Sequence, residues 1–254
     1  MRYFPKIKSF PKIYFIKSKF REQKQLLKDL NYFFINKTPF NLIKDFLKNH
    51  FINKKIKIQI DDFFEKSIFS DVDWFLGKTP LLIKYFEKNI NSKNKIKDIL
   101  EIGSYEGRSA IFFLNYFTNS KISCVDTWQG SDEHNKTLMN KIEENFNYNL
   151  EKYSNRLIKH KNTSDKFFGN NRKSFDLIYI DGSHHSNQVL KDAENSKKNL
   201  NKNGYLLFDD YNFRYAGYKQ NENVLTAVNK FIDMNSNSFK KIYIYTQVLL
   251  KKIQ

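Results

Sequence analysis

The stretch Ile99-Leu100-Glu101-Ile102-Gly103-Ser104-Tyr105-Glu106-Gly107-Arg108-Ser109 decides how this chain folds. It starts as a short apolar run of strand character and passes into the helical pattern GRSAIFFLNYF. Between the two, Gly103 permits a sharp turn, and Gly107 permits close approach of the following helix, whose first N–H groups face any ligand held there. A side chain at Gly103 would fill space that such a ligand needs. A turn built around a dinucleotide pyrophosphate would read G-x-G-x-x-G. Here the spacing is E-x-G-x-x-x-G, and the plain alternative is a strand-to-helix turn with no ligand at all.

Outward from this turn, strands and helices alternate. IKDILEIG is followed by KISCVDTW, a long polar helix near 135–153, RLIKHK, FDLIYIDG, a helix near 186–200, YLLFDDY and a helix near 222–235. Alternation of this kind builds a parallel sheet covered on both faces. The closing SFKKIYIYTQVLLKKI is long enough for two strands. The expected fold is therefore α/β: a Rossmann-like, doubly wound, mostly parallel seven-stranded sheet with an antiparallel C-terminal edge hairpin. Upstream, Thr79-Pro80 opens an amphipathic helix, and residues 20–36 and 39–50 read as short helices. The boundary falls near 70, between a basic, mainly helical extension (1–70) and the α/β domain (71–254).

The formal charge of +17 invites a nucleic-acid or acidic-membrane reading. Its distribution argues otherwise, because residues 1–60 hold 15 Lys and Arg against 3 Asp and Glu, so most of the excess lies outside the α/β part. Only six of the 44 basic residues are Arg, the side chain suited to bidentate phosphate contacts. A solvated basic surface is the simpler account, with attachment of the aromatic N-terminal arm to an anionic membrane surface as its rival. The single Cys124 excludes an intramolecular disulfide and any cysteine-rich metal site, which fits a reducing compartment. Lys interrupts every apolar run of the arm before a signal-peptide core forms, so the cytoplasm is the expected location.

Doubly wound sheets bind ligands at the carboxyl ends of their strands. Asp126 ends the second strand, where a carboxylate can accept hydrogen bonds from both ribose hydroxyls of an adenosine, with Thr127 beside it. Trp128 could cover an adenine or simply pack. Thr163 and Ser164 follow the third strand, either flanking the adenine or capping a helix. The densest group is Asp181-Gly182-Ser183-His184-His185 after the fourth strand and Asp209-Asp210 after the fifth. Three neighbouring carboxylates repel one another unless protonated, hydrogen-bonded or bridged by a cation, and a divalent oxygen-loving ion is the economical bridge. His184 would project near the same pocket and could take a proton from a hydroxyl. Helix capping, a turn and solvated histidines are the bland readings of these residues.

In order and spacing, ILEIGSYEGRSA, VDTWQGSDEH, FDLIYIDGSHH and GYLLFDDY resemble the bacterial methyltransferase domain family 24 and related small-molecule O-methyltransferases. The resemblance runs from about Phe69 to the C-terminal strands. It implies S-adenosylmethionine held by Glu101, Gly103, Gly107 and Asp126, with Ser104, Ser109, Thr127, Trp128, Thr163, Ser164 and Asp181 as further candidates for the cofactor site. Metal-dependent sugar O-methyltransferases of this kind hold Mg²⁺ at positions that map onto Asp181, Asp209 and Asp210, and some use a histidine that maps onto His184 as the base. Others use an Asp at the position of Ser183. The expected acceptor is then a small polyhydroxylated molecule such as a sugar unit. Two rivals come from other classes: a nucleotide-binding, NAD-type oxidoreductase on the same sheet, and a basic nucleic-acid-binding protein or RNA methyltransferase.

Overall fold

The computed structural model describes residues 60, 62–70, 73–131, 139–213, 219, 221–244 and 246–254. The helices expected at 20–36 and 39–50, the basic arm, and the start of the helix expected at 135 lie outside the described residues. Residues Lys54–Gln254 form one compact unit. Within it, Ile68 and Ser70 are tied to the α/β part by specific bonds. The Ile68 backbone exchanges hydrogen bonds with the Asn149 amide (2.7 and 2.9 Å), and Ser70 N–H donates to the Glu106 carboxylate (2.9 and 3.0 Å).

The elements are α1 (Thr79–Asn89), β1 (Asp98–Ile102), α2 (Arg108–Tyr116), β2 (Lys121–Asp126), α3 (Met139–Leu150), β3 (Leu157–Lys161), α4 (Ser164–Asn170), β4 (Phe175–Ile180), α5 (Ser186–Asn199), β5 (Leu200–Phe208), α6 (Val224–Met234), β6 (Phe239–Ile244) and β7 (Val248–Lys252). A short turn of 3-10 helix, Leu76–Lys78, leads directly into α1. The strand order is β3-β2-β1-β4-β5-β7-β6. The first five strands are parallel, and β7 runs antiparallel to both β5 and β6. The expected fold is therefore the observed one. The chain reverses its direction of strand addition between β1 and β4, the place where a doubly wound sheet opens a crevice.

Period-two alternation sends the side chains of each strand to opposite faces, and both faces are covered. On one face Leu100, Ile102, Ile178, Ile180, Leu206 and Phe208 are buried together with Phe167 of α4, Val189 of α5 and Phe231 of α6. On the other, Tyr179 packs against Phe113 of α2 (5.3 Å between ring centres), and Phe86 of α1 packs against Phe117 (5.4 Å). Edge strand β3 carries exposed Lys161, which discourages pairing with another sheet. Among the described residues no helix is long and apolar enough to cross a membrane.

Candidate active site

Sheet register assembles the site. Ile102 pairs with Val125 on one side and with Ile180 on the other, and Ile180 pairs with Phe208. The residues that follow these partners are therefore neighbours at one edge: Gly103, Asp126, Asp181 and Asp209. The ladder continues into them. Gly103 N–H donates to Val125 O (2.9 Å), Asp181 N–H to Ile102 O (2.8 Å) and Asp209 N–H to Ile180 O (3.0 Å).

Backbone strain concentrates on the same edge. Tyr105, Trp128 and Asp210 have φ of 47°, 51° and 48°, and among the described non-glycine residues only Asn203 joins them in the left-handed region. Each such residue costs roughly 1–3 kcal/mol, so three of them, after β1, β2 and β5, mark a place where geometry is held against a local penalty.

The loop after β1 is clamped by Asp126. Its Oδ2 accepts from Ser104 N–H (2.8 Å) and Tyr105 N–H (2.9 Å), and its Oδ1 accepts from Trp128 N–H (2.7 Å). The carboxylate expected to meet a ribose thus also shapes the loop that would hold the ligand's other end. Gly103 is more constrained than the sequence suggests. At φ 86°, a Cβ there would overlap the carbonyl of Asp181 and lie 2.6 Å from Gly182 Cα, so its lack of a side chain lets β1 and β4 end side by side and is not a matter of ligand space. Gly107 is the left-handed N-cap of α2, and a Cβ there would meet Leu150 at 2.7 Å, which makes it a packing position against α3.

Glu101 is fully buried and its Oε1 has no hydrogen-bond partner, while the Cys124 thiol donates to Oε2 (3.3 Å). Ser104 and Ser109 are buried around it. Burial pushes the Glu101 carboxyl up from 4.5 to about 7. The folded chain then holds this proton more tightly than the unfolded chain does, so the associated stability is present at low pH and is lost as pH rises from about 4.5 to about 7. The ligand-free protein should therefore lose on the order of 3 kcal/mol of unfolding free energy over that window, and melt at lower temperature as pH rises. In Glu101→Gln that slope should be reduced. An unchanged slope in the variant would assign it to other groups.

Other candidates take structural positions. Trp128 is 4% exposed; its indole N–H donates to Tyr105 O (2.9 Å), its ring lies 4.7 Å from Phe146, and Lys159 sits over it, so it props the loop and offers little face to an adenine. Thr127 Oγ1 accepts from Gln129 N–H (3.2 Å). Thr163 is the N-cap of α4 and accepts from Lys166 N–H (3.3 Å). Ser164 accepts from Gln188 of α5 (3.2 Å). The helix cap is realised at Thr163, and it leaves the hydroxyl's own hydrogen to be donated elsewhere.

The acidic group at the ends of β4 and β5 is drawn together, but not as three equivalent ligands. Asp209 is buried and surrounded by donors: Lys78 Nζ and Asp210 N–H (2.6 Å) on Oδ1, Tyr179 OH and Gln247 Nε2 (3.1 Å) on Oδ2. Both of its oxygens are thereby occupied by protein donors. Asp210 accepts from Lys78 Nζ (2.7 Å) on Oδ1, and His184 Nε2 lies 3.3 Å from its Oδ2. Asp181 Oδ2 lies 3.1 Å from the Tyr179 hydroxyl oxygen, whose hydrogen is directed to Asp209. Burial, with Asp209 and Asp210 adding to it, holds the Asp181 carboxyl well above the usual carboxylate range. Asp210 is only partly exposed, and although that desolvation works the other way, Lys78 and His184 outweigh it and hold the carboxyl below the range. Asp181, His184 and Asp210 each offer a ligand atom, all within 4.8 Å of one another. The set that could grip an ion thus exchanges Asp209 for His184, the residue expected to act as base.

Lys78, Tyr179 and Gln247 are functional neighbours that the sequence does not single out. The requirement for a cation beside three acids is visible there. The Gly77-Lys78-Thr79-Pro80 helix entry that supplies it lies about 130 residues away in the chain, beyond any local signal.

Residues 100–211 match the family described as methyltransferase domain. An uncharacterised protein of Acanthamoeba polyphaga mimivirus is 39% identical over 57 residues, which are 22% of this chain and 24% of that protein, so the chain matches about a quarter of that curated relative's length. Among solved structures, an O-methyltransferase from Bacillus cereus in complex with S-adenosylhomocysteine superposes with a TM-score of 0.52 at 13% identity, over 84% of this chain and 97% of that one. The O-methyltransferase TomG from Streptomyces achromogenes, solved with S-adenosylmethionine, gives 0.52 at 10% identity over 84% and 96%. MycE methyltransferase from the mycinamycin biosynthetic pathway, in complex with Mg, S-adenosylhomocysteine and mycinamycin VI, gives 0.55 at 14% identity over 77% of this chain and 54% of that one. At these identities the structural likeness is one of fold.

Proposed function

We propose that this chain, whose residues 100–211 match a methyltransferase domain family, transfers the methyl group of S-adenosylmethionine to a hydroxyl oxygen of a small polyhydroxylated acceptor such as a sugar unit. The observation that carries the reading is the register-built edge, where the Asp126-clamped loop and the His184–Asp210 pair stand on adjoining strand ends. Solved relatives in fold that hold S-adenosylmethionine or its demethylated product support the cofactor.

The sulfonium methyl is already activated, so the protein must chiefly align the acceptor and remove its proton. The loop from Glu101 to Gly107 would receive the amino-acid part of the cofactor, and Asp126 its ribose. The acceptor oxygen forms the new carbon–oxygen bond as the carbon–sulfur bond breaks, with its electron pair remaining on sulfur. The hydroxyl proton passes to the neutral imidazole of His184, whose Nε2 then faces Asp210 as a charged donor. The single buried cysteine, Cys124, fits the reducing cytoplasm.

A second reading adds a divalent ion, favoured by the three ligand atoms of Asp181, His184 and Asp210 and by the Mg bound in MycE. Such an ion would supply Lewis acidity to the acceptor oxygen. Asp209, expected as a ligand, does not fit, and His184 would be lost as a base while it served as one.

The test is transfer of a labelled methyl group from S-adenosylmethionine to fractionated host metabolites and glycans, with and without chelator. Transfer to a hydroxylated fraction supports the proposal, and loss of transfer in chelator with recovery on adding Mg²⁺ supports the second reading. A preference for NAD over S-adenosylmethionine in calorimetry would overturn both. Asp126→Ala should weaken S-adenosylhomocysteine binding by about 1–3 kcal/mol, through the lost ribose contact and the unclamped loop. If calorimetry returns the parent affinity, Asp126 serves the loop alone.

A further inference from the structure

The entry to α1 is built to deliver one charge. Asp73 Oδ1 accepts from Phe75 N–H (3.0 Å) and Leu76 N–H (2.9 Å), Lys78 N–H donates to Phe75 O (3.0 Å), and Thr79 Oγ1 donates to Leu76 O (2.7 Å). Phe75 is buried against Phe112 and Tyr179, with ring centres 5.4 and 6.2 Å away. The backbone of Lys78 is thus fixed over the carboxyl ends of β4 and β5. Its side chain, 18% exposed, ends on one oxygen of Asp209 and one of Asp210.

This arrangement meets the need that three adjacent acids create. A buried carboxylate pair is tolerated only with a counter-charge and satisfied hydrogen bonds, and the ammonium provides both. It also bears on metal. An ion held by Asp181, His184 and Asp210 Oδ2 would share the Asp210 carboxylate with the ammonium on Oδ1, and the two like charges would repel at close range.

We infer that Lys78 is the resident cation of this site, a positioning residue that neutralises Asp209 and Asp210 in place of a divalent ion, so that methyl transfer needs no bound metal. The inference rests on the proposed methyl transfer at this site and specifies its electrostatics. Lys78 keeps Asp210 oriented toward His184, and His184 remains available to accept the acceptor's proton. Removing the ammonium leaves the carboxylates without their counter-charge and opens room for an ion.

The experiment compares Mn²⁺ binding to the full-length wild type and to Lys78→Met, by electron paramagnetic resonance of free Mn²⁺, alongside S-adenosylhomocysteine binding by calorimetry. Lys78→Met should bind Mn²⁺ at least roughly tenfold more tightly than wild type, since a repelling charge has gone and its partners are free. A variant that binds Mn²⁺ no better than wild type, at whatever level, overturns the inference. Absence of S-adenosylhomocysteine binding by wild type would instead overturn the proposed function, while the Mn²⁺ comparison would still judge Lys78. Should Lys78→Met fail to fold, reductive methylation of the wild type followed by mass spectrometry decides. Lys78 should react more slowly than exposed Lys95, with or without Mg²⁺, and an equal rate, or a rate raised by Mg²⁺, overturns the inference.

Discussion

Turnover of His184→Ala is expected to fall by about 10²–10⁴-fold, the range for losing a general base, while S-adenosylhomocysteine binding stays close to that of the parent. The imidazole is positioned twice, by Asp210 at 3.3 Å from Nε2 and by the Phe213 ring 4.7 Å away, so its removal deletes a proton acceptor without touching the loop after β1. Only the neutral ring can take the proton. The wild-type rate should therefore rise with pH as His184 loses its proton, and the profile should flatten in the variant. Steady-state rates at several pH values check both points. A variant with full activity would pass the base to another group, and a variant that is slow but keeps the wild-type pH profile would mean that His184 only shapes the pocket.

Gly103→Ala should unfold the domain or cost it more than about 3 kcal/mol, an effect that reaches past cofactor binding. Two penalties coincide: a left-handed φ of 86°, and a Cβ driven into the carbonyl of Asp181 and to 2.6 Å from Gly182 Cα. Both neighbours are backbone held in the sheet ladder, so neither can yield without separating β1 from β4. Gly169, inside α4 and with nothing within 4 Å of the point a Cβ would occupy, is the control, and Gly169→Ala should be neutral or stabilising by roughly 0.5–1 kcal/mol. Chemical denaturation of the two variants measures the contrast. Equal stabilities would show that β1 and β4 do not approach as closely as described.

These two substitutions bear differently on how far the sequence could be read. His184 was legible because its spacing from Asp181 at a strand end places it on the binding edge whatever the neighbouring elements do. Gly103 was legible as a turn but misjudged in purpose, since nothing local says that the object across from it is the Asp181 backbone. The same holds for Trp128 and Thr163. Each had a ligand role and a structural role open, and the structural one is visible only in space, as Phe146 and Lys159 over the indole and Lys166 N–H beside the hydroxyl.

By itself the sequence determined the alternation of strands and helices, the antiparallel close, and the set of residues that fall at strand ends. These depend on short-range quantities: period-two apolar runs, helix entries at Thr-Pro, and glycines where the chain must turn. Tertiary structure alone decided which of those residues share an environment. Parallel register set Gly103, Asp126, Asp181 and Asp209 side by side, and the fold of the 73–79 turn brought Lys78 onto two acids about 130 positions away. The neutralisation of Asp209 by Lys78, Tyr179 and Gln247 is a property of through-space distance, because electrostatic and hydrogen-bond energies depend on separation in space and not on separation along the chain.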